Sequence, residues 1–305
     1  MNGLEALERA LSLGEHPGAT RKTVAVPLAD TPEVLQCVAH AGGRIAEFVL
    51  IGEEERIRAS AGSVGIGLGC ARFVRETDER AACEKAVALV REGEAQLLMK
   101  GLVQTSTFCR AILDKGSGLV SEGSLLSHVT VCGLPGYHKL LILTDPAINI
   151  EPDLEAKSRI LMNALEVARK LGVARPRVAC VAPVEKVSGK IRSTLDAEAL
   201  VRRASAADRP FGDIVIQGPL GLDLAVSSEA ASLKGVAGEV VGEADLLLMP
   251  GLDAANVLYK ALTHFGGALM ASVLAGSRVP VVLTSRSDSE RTRFLSLELA
   301  LRLAE

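Results

Sequence analysis

Short apolar runs alternate with amphipathic segments along almost the whole chain, and this alternation restricts the fold more than any other feature. "TVAVPLA" (23–29), "EFVLIG" (47–52), "AQLLMKG" (95–101), "RVACVAP" (177–183) and "DLLLMPGL" (245–252) read as buried strands. Between them lie "TPEVLQCVAHAGG" (31–43), "EEERIRASAG" (53–62), "DERAACEKAVALVREGE" (78–94), "TSTFCRAILDK" (105–115) and "LEAKSRILMNALEVARKLG" (154–172), which read as helices. Thr31 is placed to cap its helix with Pro32 at the first helical position and Gly42 beyond the end. Ser193 opens a further helix, "STLDAEALVRRAS" (193–205), and "DIVIQGPLGLDLAV" (213–226) and "NVLYKALTHFGG" (256–267) continue the pattern. Strict β-α alternation implies an α/β fold with a mostly parallel sheet. "HVTVCGLPGYHKLLILTD" (128–145) departs from it as two strands about a Gly/Pro turn, suited to antiparallel pairing. "VPVVL" (279–283) is a strand interrupted by Pro280, and the last helix runs from about Asp288 to Leu303.

Composition narrows the function classes. At 305 residues the chain can build two domains, and no flexible linker separates them. The net charge of -3 and an aromatic content of 3% without Trp argue against a nucleic-acid surface. Mean hydropathy is positive, +0.28, but no apolar run approaches the ~18–20 residues of a spanning helix. The start, "MNGLEALERALSLGEHPGA", reads as an amphipathic helix rather than a signal peptide. Cys37, Cys70, Cys83, Cys109, Cys132 and Cys180 lie scattered in apolar patterns without a CxxC pair. They read as buried free thiols of a cytoplasmic protein, with neither disulfides nor a zinc site.

Five strand ends carry polar or glycine-rich clusters: "MKGLVQTSTFCR" (99–110), "TDPAINIEP" (144–152), "QGPLGLD" (217–223), "PGLDAANVLYK" (250–260) and "TSRSDS" (284–289). Each follows an apolar strand and precedes a helix, the position where open α/β sheets bind ligands and where backbone N–H groups meet anions.

These clusters carry a resemblance. "LLMKGLVQTSTFCRAIL", "LSHVTV…TDPAINIEPDLEAKSRILMNALEVARKLG", "GPLGLDLAVSSEAASLKGVAGEVVGEADLLLMPGLDAANVLYKALTHF" and "PVVLTSRSDS" resemble the phosphate acetyl/butyryltransferase family, the butyryl branch most closely. The resemblance spans residues 97–289 and is looser before them. It implies the reaction acyl-CoA + phosphate ⇌ acyl phosphate + CoA, with direct transfer in a ternary complex. It also implies a two-domain fold like isocitrate and isopropylmalate dehydrogenases. The expected domains are 1–125 with 276–305, and 126–275, with the active site in the cleft between them. Coenzyme A and phosphate enter as substrates, with no permanently bound cofactor and no metal, and a homodimer or higher homo-oligomer is expected.

Phosphate is a dianion, so guanidinium forks are its natural clamp. By resemblance, Arg286 follows the serine of the family's S-R motif, and Arg110 sits in its Ser/Thr-rich helix start, which begins at Thr105. Arg110 is expected near the positive end of that helix, where an anion would have to offset it. Ser285 matches the family serine near the CoA sulfur, placed to donate to the developing thiolate or oxyanion. The acetyl-specific branch has an Asp seven residues beyond that serine; Thr292 stands there, and Asp288, one helical turn earlier, could supply the carboxylate. A bland reading competes: Ser287 and Glu290 form a capping box with Asp288 at the first helical position. His264 replaces an arginine of the acetyl branch and can still hydrogen-bond phosphate. Lys100, Gly101, Asn149, Gly218, Asp223, Asn256, Tyr259, Lys260 and His128 are expected along the CoA and acyl side. Against these stand strand-end solubility, turn chemistry, helix packing and a satisfied core histidine. Two other classes remain. A metal-dependent dehydrogenase would need an Asp cluster that is absent, and "VGIGLG" (64–69) is not a dinucleotide fingerprint. A non-catalytic acyl-CoA or phosphate sensor is kept open by Thr292. An acetyl-CoA specificity is the other alternative.

Overall fold

The computed structural model describes residues 2–11, 21–69, 71–206, 210–283 and 288–304. In chain order the elements are α1 (Gly3–Leu11), β1 (Lys22–Pro27), α2 (Pro32–Ala41), β2 (Ala46–Ile51), α3 (Glu54–Ser63), β3 (Ala71–Val74), α4 (Glu79–Arg91), β4 (Leu97–Met99) and α5 (Thr105–Leu113). They continue with β5 (Ser127–Gly133), β6 (Leu141–Thr144), α6 (Leu154–Lys170), β7 (Arg177–Val181), α7 (Arg192–Ala204), β8 (Val215–Leu220), α8 (Leu222–Val226) and α9 (Ser228–Lys234). The last are β9 (Leu246–Leu248), α10 (Leu252–His264), β10 (Leu269–Ala275), β11 (Val281–Val282) and α11 (Glu290–Leu303).

The chain divides into two compact units, Met1–Ala10 with Leu125–Met270, and Leu11–Ser124 with Ala271–Glu305. The first ten residues, placed in the other domain by the sequence reading, group with 125–270. Gly3 N donates to Leu134 O and Tyr137 O. In the 125–270 unit the strand order is β5-β6-β9-β7-β8. Along that order β5 and β6 run antiparallel, as the Gly/Pro turn between them predicts, and the β6-β9, β9-β7 and β7-β8 pairs are parallel. In the other unit β3, β2, β1, β4 and β11 are successive parallel neighbours, and β10 joins β11 antiparallel. Parallel strands covered by helices must be apolar on both faces. Accordingly β4, β6 and β9 are buried throughout.

Helix starts follow their side-chain chemistry. Asp78 accepts from Ala81 N at 2.8 Å at the head of α4, and Asp153 accepts from Ala156 N at 2.8 Å at the head of α6. Inside the 125–270 unit Lys157 of α6 meets Asp196 of α7 at 2.7 Å, both side chains nearly covered.

Several expectations change. α7 begins at Arg192, with Ile191 at the cap position, so Ser193 lies within the helix. The strand expected over 279–283 shortens to Val281–Val282, because Pro280 has no N–H for a ladder. β3, β10 and α9 were not expected. β3 is half-exposed and carries Arg72, which hides its strand pattern.

Candidate active site

The site begins at one strand edge. β4 and β11 are parallel neighbours, with Val281 beside Leu98 and Val282 beside Met99, and Lys100 N donates to Val282 O at 3.0 Å. Both chains therefore leave the sheet at the same edge. From β4 come Lys100, Gly101 and the start of α5; from β11 comes Leu283, leading into 284–287. Ser285 and Arg286 lie in that stretch, outside the described residues. Gly101 is required by packing: a Cβ there would sit 2.1 Å from Pro27 O.

Asp288 is half-buried and precedes the helix. The cap of α11 is Ser289, whose Oγ accepts from Thr292 N at 3.1 Å. Asp288 therefore does not occupy the first helical position, and it does not share a helix face with Thr292. The expected cap at Ser287 moves two residues onward, because Ser289 already supplies the acceptor that the free N–H groups need.

Thr105 is the exposed first residue of α5. Arg110 lies in the last turn of α5, not near its positive end. A cation is favoured there by the helix dipole, so its presence needs no anion to offset it. Arg110 is exposed and has no hydrogen bond or ion pair among the described residues. It lines a cavity of about 290 Å³ with Asp78, Glu79, Arg80, Glu84 and Asp114. The carboxylates there are engaged: Asp78 caps α4, Glu79 accepts from Gln104 N at 3.0 Å, and Glu84 pairs with Arg80 at 2.7 Å. Asp114 takes Ser117 N and Oγ at 2.7 Å each, and these bonds hold it below its usual pKa. Arg110 is thus the charged side chain of this wall left available to a ligand.

Lys100 is half-buried, its Nζ 3.4 Å from Gly101 O. Burial pushes the neighbouring Cys83 thiol up to about 12, with Lys100 acting against the rise. Cys37, Cys132 and Cys180 are likewise pushed to about 12 by burial, so they are not thiolates at neutral pH. Cys109 is half-buried rather than buried, and Cys70 lies outside the described residues.

The 125–270 unit has its own edge, where β6 and β9 end side by side. The buried carboxylate of Asp145 accepts there from Ala147 N and Ile148 N at 3.0 Å, Asn149 N at 3.3 Å and Asn149 Nδ2 at 2.6 Å. Asn149 Nδ2 also donates to Leu126 O at 3.0 Å, and Asn256 Nδ2 donates to Pro146 O at 3.0 Å. Asn149 therefore ties Asp145 to Leu126, and Asn256 ties α10 to the loop. Asp223 is exposed and pairs with Lys234 at 2.9 Å. Gly218 packs so closely that a Cβ would stand 2.6 Å from Cys180 Cβ. His128 is buried, with Nδ1 3.3 Å from Thr130 Oγ1, the geometry of a core histidine. Tyr259 packs against the apolar core, whereas Lys260 and His264 are exposed along α10. Sequence reasoning passed over Asp145; its signal was an aspartate before proline at a strand end, the setting for an Asx turn. Among the described residues no His/Cys/Asp/Glu group could hold a metal ion, and no helix is long and apolar enough to cross a membrane.

A mostly parallel sheet covered by helices, with Lys100 and Gly101 where β4 ends, is the architecture of an α/β-class enzyme, which binds ligands at such strand ends. The particular family follows from comparison. Residues 71–300 match the family described as "Phosphate acetyl/butaryl transferase", and the chain belongs to it. Phosphate butyryltransferase of Clostridium beijerinckii is 42% identical over 280 residues, covering 92% of each chain. Phosphate acetyltransferase of Rhizobium meliloti is 42% identical over 252 residues, covering 83% of this chain and 79% of that one. The structure of a branched-chain phosphotransacylase from Enterococcus faecalis is similar with a TM-score of 0.81 at 36% identity, covering 93% of this chain and 99% of that one.

Proposed function

We propose that the protein is a phosphate acyltransferase that converts acyl-CoA and phosphate into acyl phosphate and CoA, with butyryl or a similar short group as the acyl unit. The observation that carries the site assignment is the parallel pairing of β4 with β11, which delivers Lys100 and the approach to Ser285-Arg286 to one edge. Membership of the family and the 42% identity to a phosphate butyryltransferase support the reaction and the acyl group. A phosphate acetyltransferase at the same identity keeps acetyl-CoA as the second reading.

In this reading Arg286 and Arg110 bind phosphate, with Thr105 and His264 assisting. A phosphate oxygen attacks the thioester carbonyl, the C–O bond forms, and the C–S bond breaks with its electron pair going to sulfur. Ser285 donates a hydrogen bond to the developing charge, and Asp288, as general base and then general acid, takes the proton given up by hydrogen phosphate and passes it to the leaving CoA thiolate. No acyl-enzyme is needed, so orientation and electrostatics supply the rate. Lys100, Gly101, Tyr259 and Lys260 border CoA, while Asn149, Gly218, Asp223, Asn256 and His128 shape the surrounding backbone. No bound cofactor or metal enters the chemistry, and the protein works as a cytoplasmic homodimer or higher homo-oligomer.

The test is thiol release from acyl-CoAs of two to six carbons, with and without phosphate, for the wild type and Arg286→Ala. Phosphate-dependent release that the variant abolishes is expected, with a maximum at four carbons. Release independent of phosphate would identify a thioesterase, and binding of CoA without any release would identify a sensor.

A further inference from the structure

Asp145 has no part in the chemistry just described, yet it is 5% exposed and takes four hydrogen bonds from the loop that follows it. We infer that Asp145 is a positioning residue for the acyl group: it fixes the 145–150 loop so that Ile150 stands against the acyl chain of the substrate. The inference rests on the acyltransferase reading.

The loop is held from two sides. From within, Asp145 gathers the N–H groups of residues 147, 148 and 149. From outside, Asn256 Nδ2 holds Pro146 O at 3.0 Å, and Leu252 N donates to Ile150 O at 3.0 Å. Asn149 adds a strut to Leu126 O. Surface loops usually leave such groups to water. This one is bonded at nearly every residue, so Ile150 is presented in one place. Ile150 is 69% exposed in the loop that follows β6, and its carbonyl is held by Leu252 in the segment that follows β9, on the side of a parallel strand pair that receives ligands. A large apolar group fixed there gains most from a ligand that is itself apolar at that point, because contact removes both surfaces from water. In an acyl-CoA and phosphate pair the apolar part next to the reacting thioester is the acyl chain.

The experiment compares kcat/KM for butyryl-CoA and for acetyl-CoA at saturating phosphate. The ratio of the two is independent of the fraction of active enzyme, so a variant that merely folds poorly leaves it unchanged. Ile150→Ala should lower the butyryl:acetyl ratio by about fivefold or more, the scale of a methylene or two in an apolar pocket. In Asp145→Asn the side-chain oxygen can still accept from residues 147 and 148, but the new NH2 faces the donors of Asn149. The ratio should fall to a similar extent. Asn256→Ala cuts the outer brace alone and should lower the ratio by about threefold, which keeps the test open if the Asp145 variant does not fold. An unchanged ratio in Ile150→Ala overturns the inference. So does an Asp145→Asn or Asn256→Ala enzyme whose two kcat/KM values fall by one common factor. A wild type that releases no thiol from either substrate overturns the acyltransferase reading itself, a result distinct from an altered or unaltered ratio.

Discussion

After β6 the polar side chains bond to their own backbone; in α5, which follows β4, Arg110 has no partner among the described residues. Asp145, Asn149 and Asn256 carry between them six hydrogen bonds to loop or side-chain atoms at the 145–150 segment. Arg110, one helix beyond β4, has no partner among the described residues while every carboxylate in its cavity wall is engaged. The two edges have similar sequence chemistry, a strand followed by polar and glycine residues, but different uses of it. A side chain already spent on the protein stabilises and positions. One without a partner, as proposed for Arg110 and phosphate, is available for binding.

The largest effect expected from this contrast is on activity. Arg110→Ala should lower kcat/KM for phosphate about 10²-fold, the scale of a lost charge-assisted hydrogen bond to a transferring group. The melting temperature should barely move, because nothing described bonds to the guanidinium. Arg110→Lys should recover part of the loss, since an ammonium keeps the charge but not the fork. Steady-state kinetics at varied phosphate and thermal denaturation decide it. A large loss of stability with unchanged phosphate kinetics would erase the distinction between the two edges.

Next comes stability on the side where polar groups are spent. Lys157 and Asp196 join α6 to α7 at 2.7 Å, with side chains 5% and 11% exposed. Lys157→Met strands a buried carboxylate and should cost about 3 kcal/mol, the low end of such losses. The low end applies because Arg192 stands 3.6 Å from Asp196 and offsets part of the charge. Replacing both partners with apolar residues should regain most of it. Chemical denaturation of the single and double variants measures the difference.

A pH experiment sharpens the contrast within the other unit. Burial raises the Glu298 carboxyl of α11 to about 7, against a nearby Arg291 that pulls it down. Its folded pKa exceeds its unfolded one, so the folded state binds the extra proton between about 4.5 and 7. Stability from this group therefore falls as pH rises through that window, and above it the ionised carboxylate is a burden. Glu298→Gln should raise the melting temperature more at pH 8 than at pH 5. An equal change at both values would mean that the side chain is not burdened by its charge.

Much of this was legible before any coordinates. The β-α alternation follows from periodicity, and the start of α2 at Pro32 after Thr31 follows from residue type, although the Thr31 side chain makes no cap hydrogen bond. Lys100 stands out as a cation at a strand end. Other features could not be read. Whether Asn256 meets a ligand or a carbonyl depends on a partner 110 residues away in the chain. Asp145 looks like an ordinary turn residue until its four donors are seen. The place of Arg110 in its helix turned on where α5 ends, at Leu113 beside Asp114, a boundary that helical spacing does not locate. The cap of α11 likewise had two serines to choose from, and Ser289 fills it.

Asp223 gives the smallest expected effect and the cleanest check on the rule that spent side chains do not bind substrate. Its carboxylate is exposed and held below its usual pKa by Lys234, which also stands 3.5 Å from Glu185. Exposed pairs of this kind contribute little to stability, and salt screens them further. Asp223→Asn should therefore leave the melting temperature within about 2 °C of wild type. If the lysine occupies this carboxylate during turnover as well, kcat/KM for butyryl-CoA should also stay within about twofold, because no interaction specific to the transition state is removed. A tenfold fall in kcat/KM with stability intact would mean that substrate displaces Lys234. Asp223 would then belong with Arg110 rather than with Asp145, and a bonded side chain could no longer be taken as withdrawn from the site.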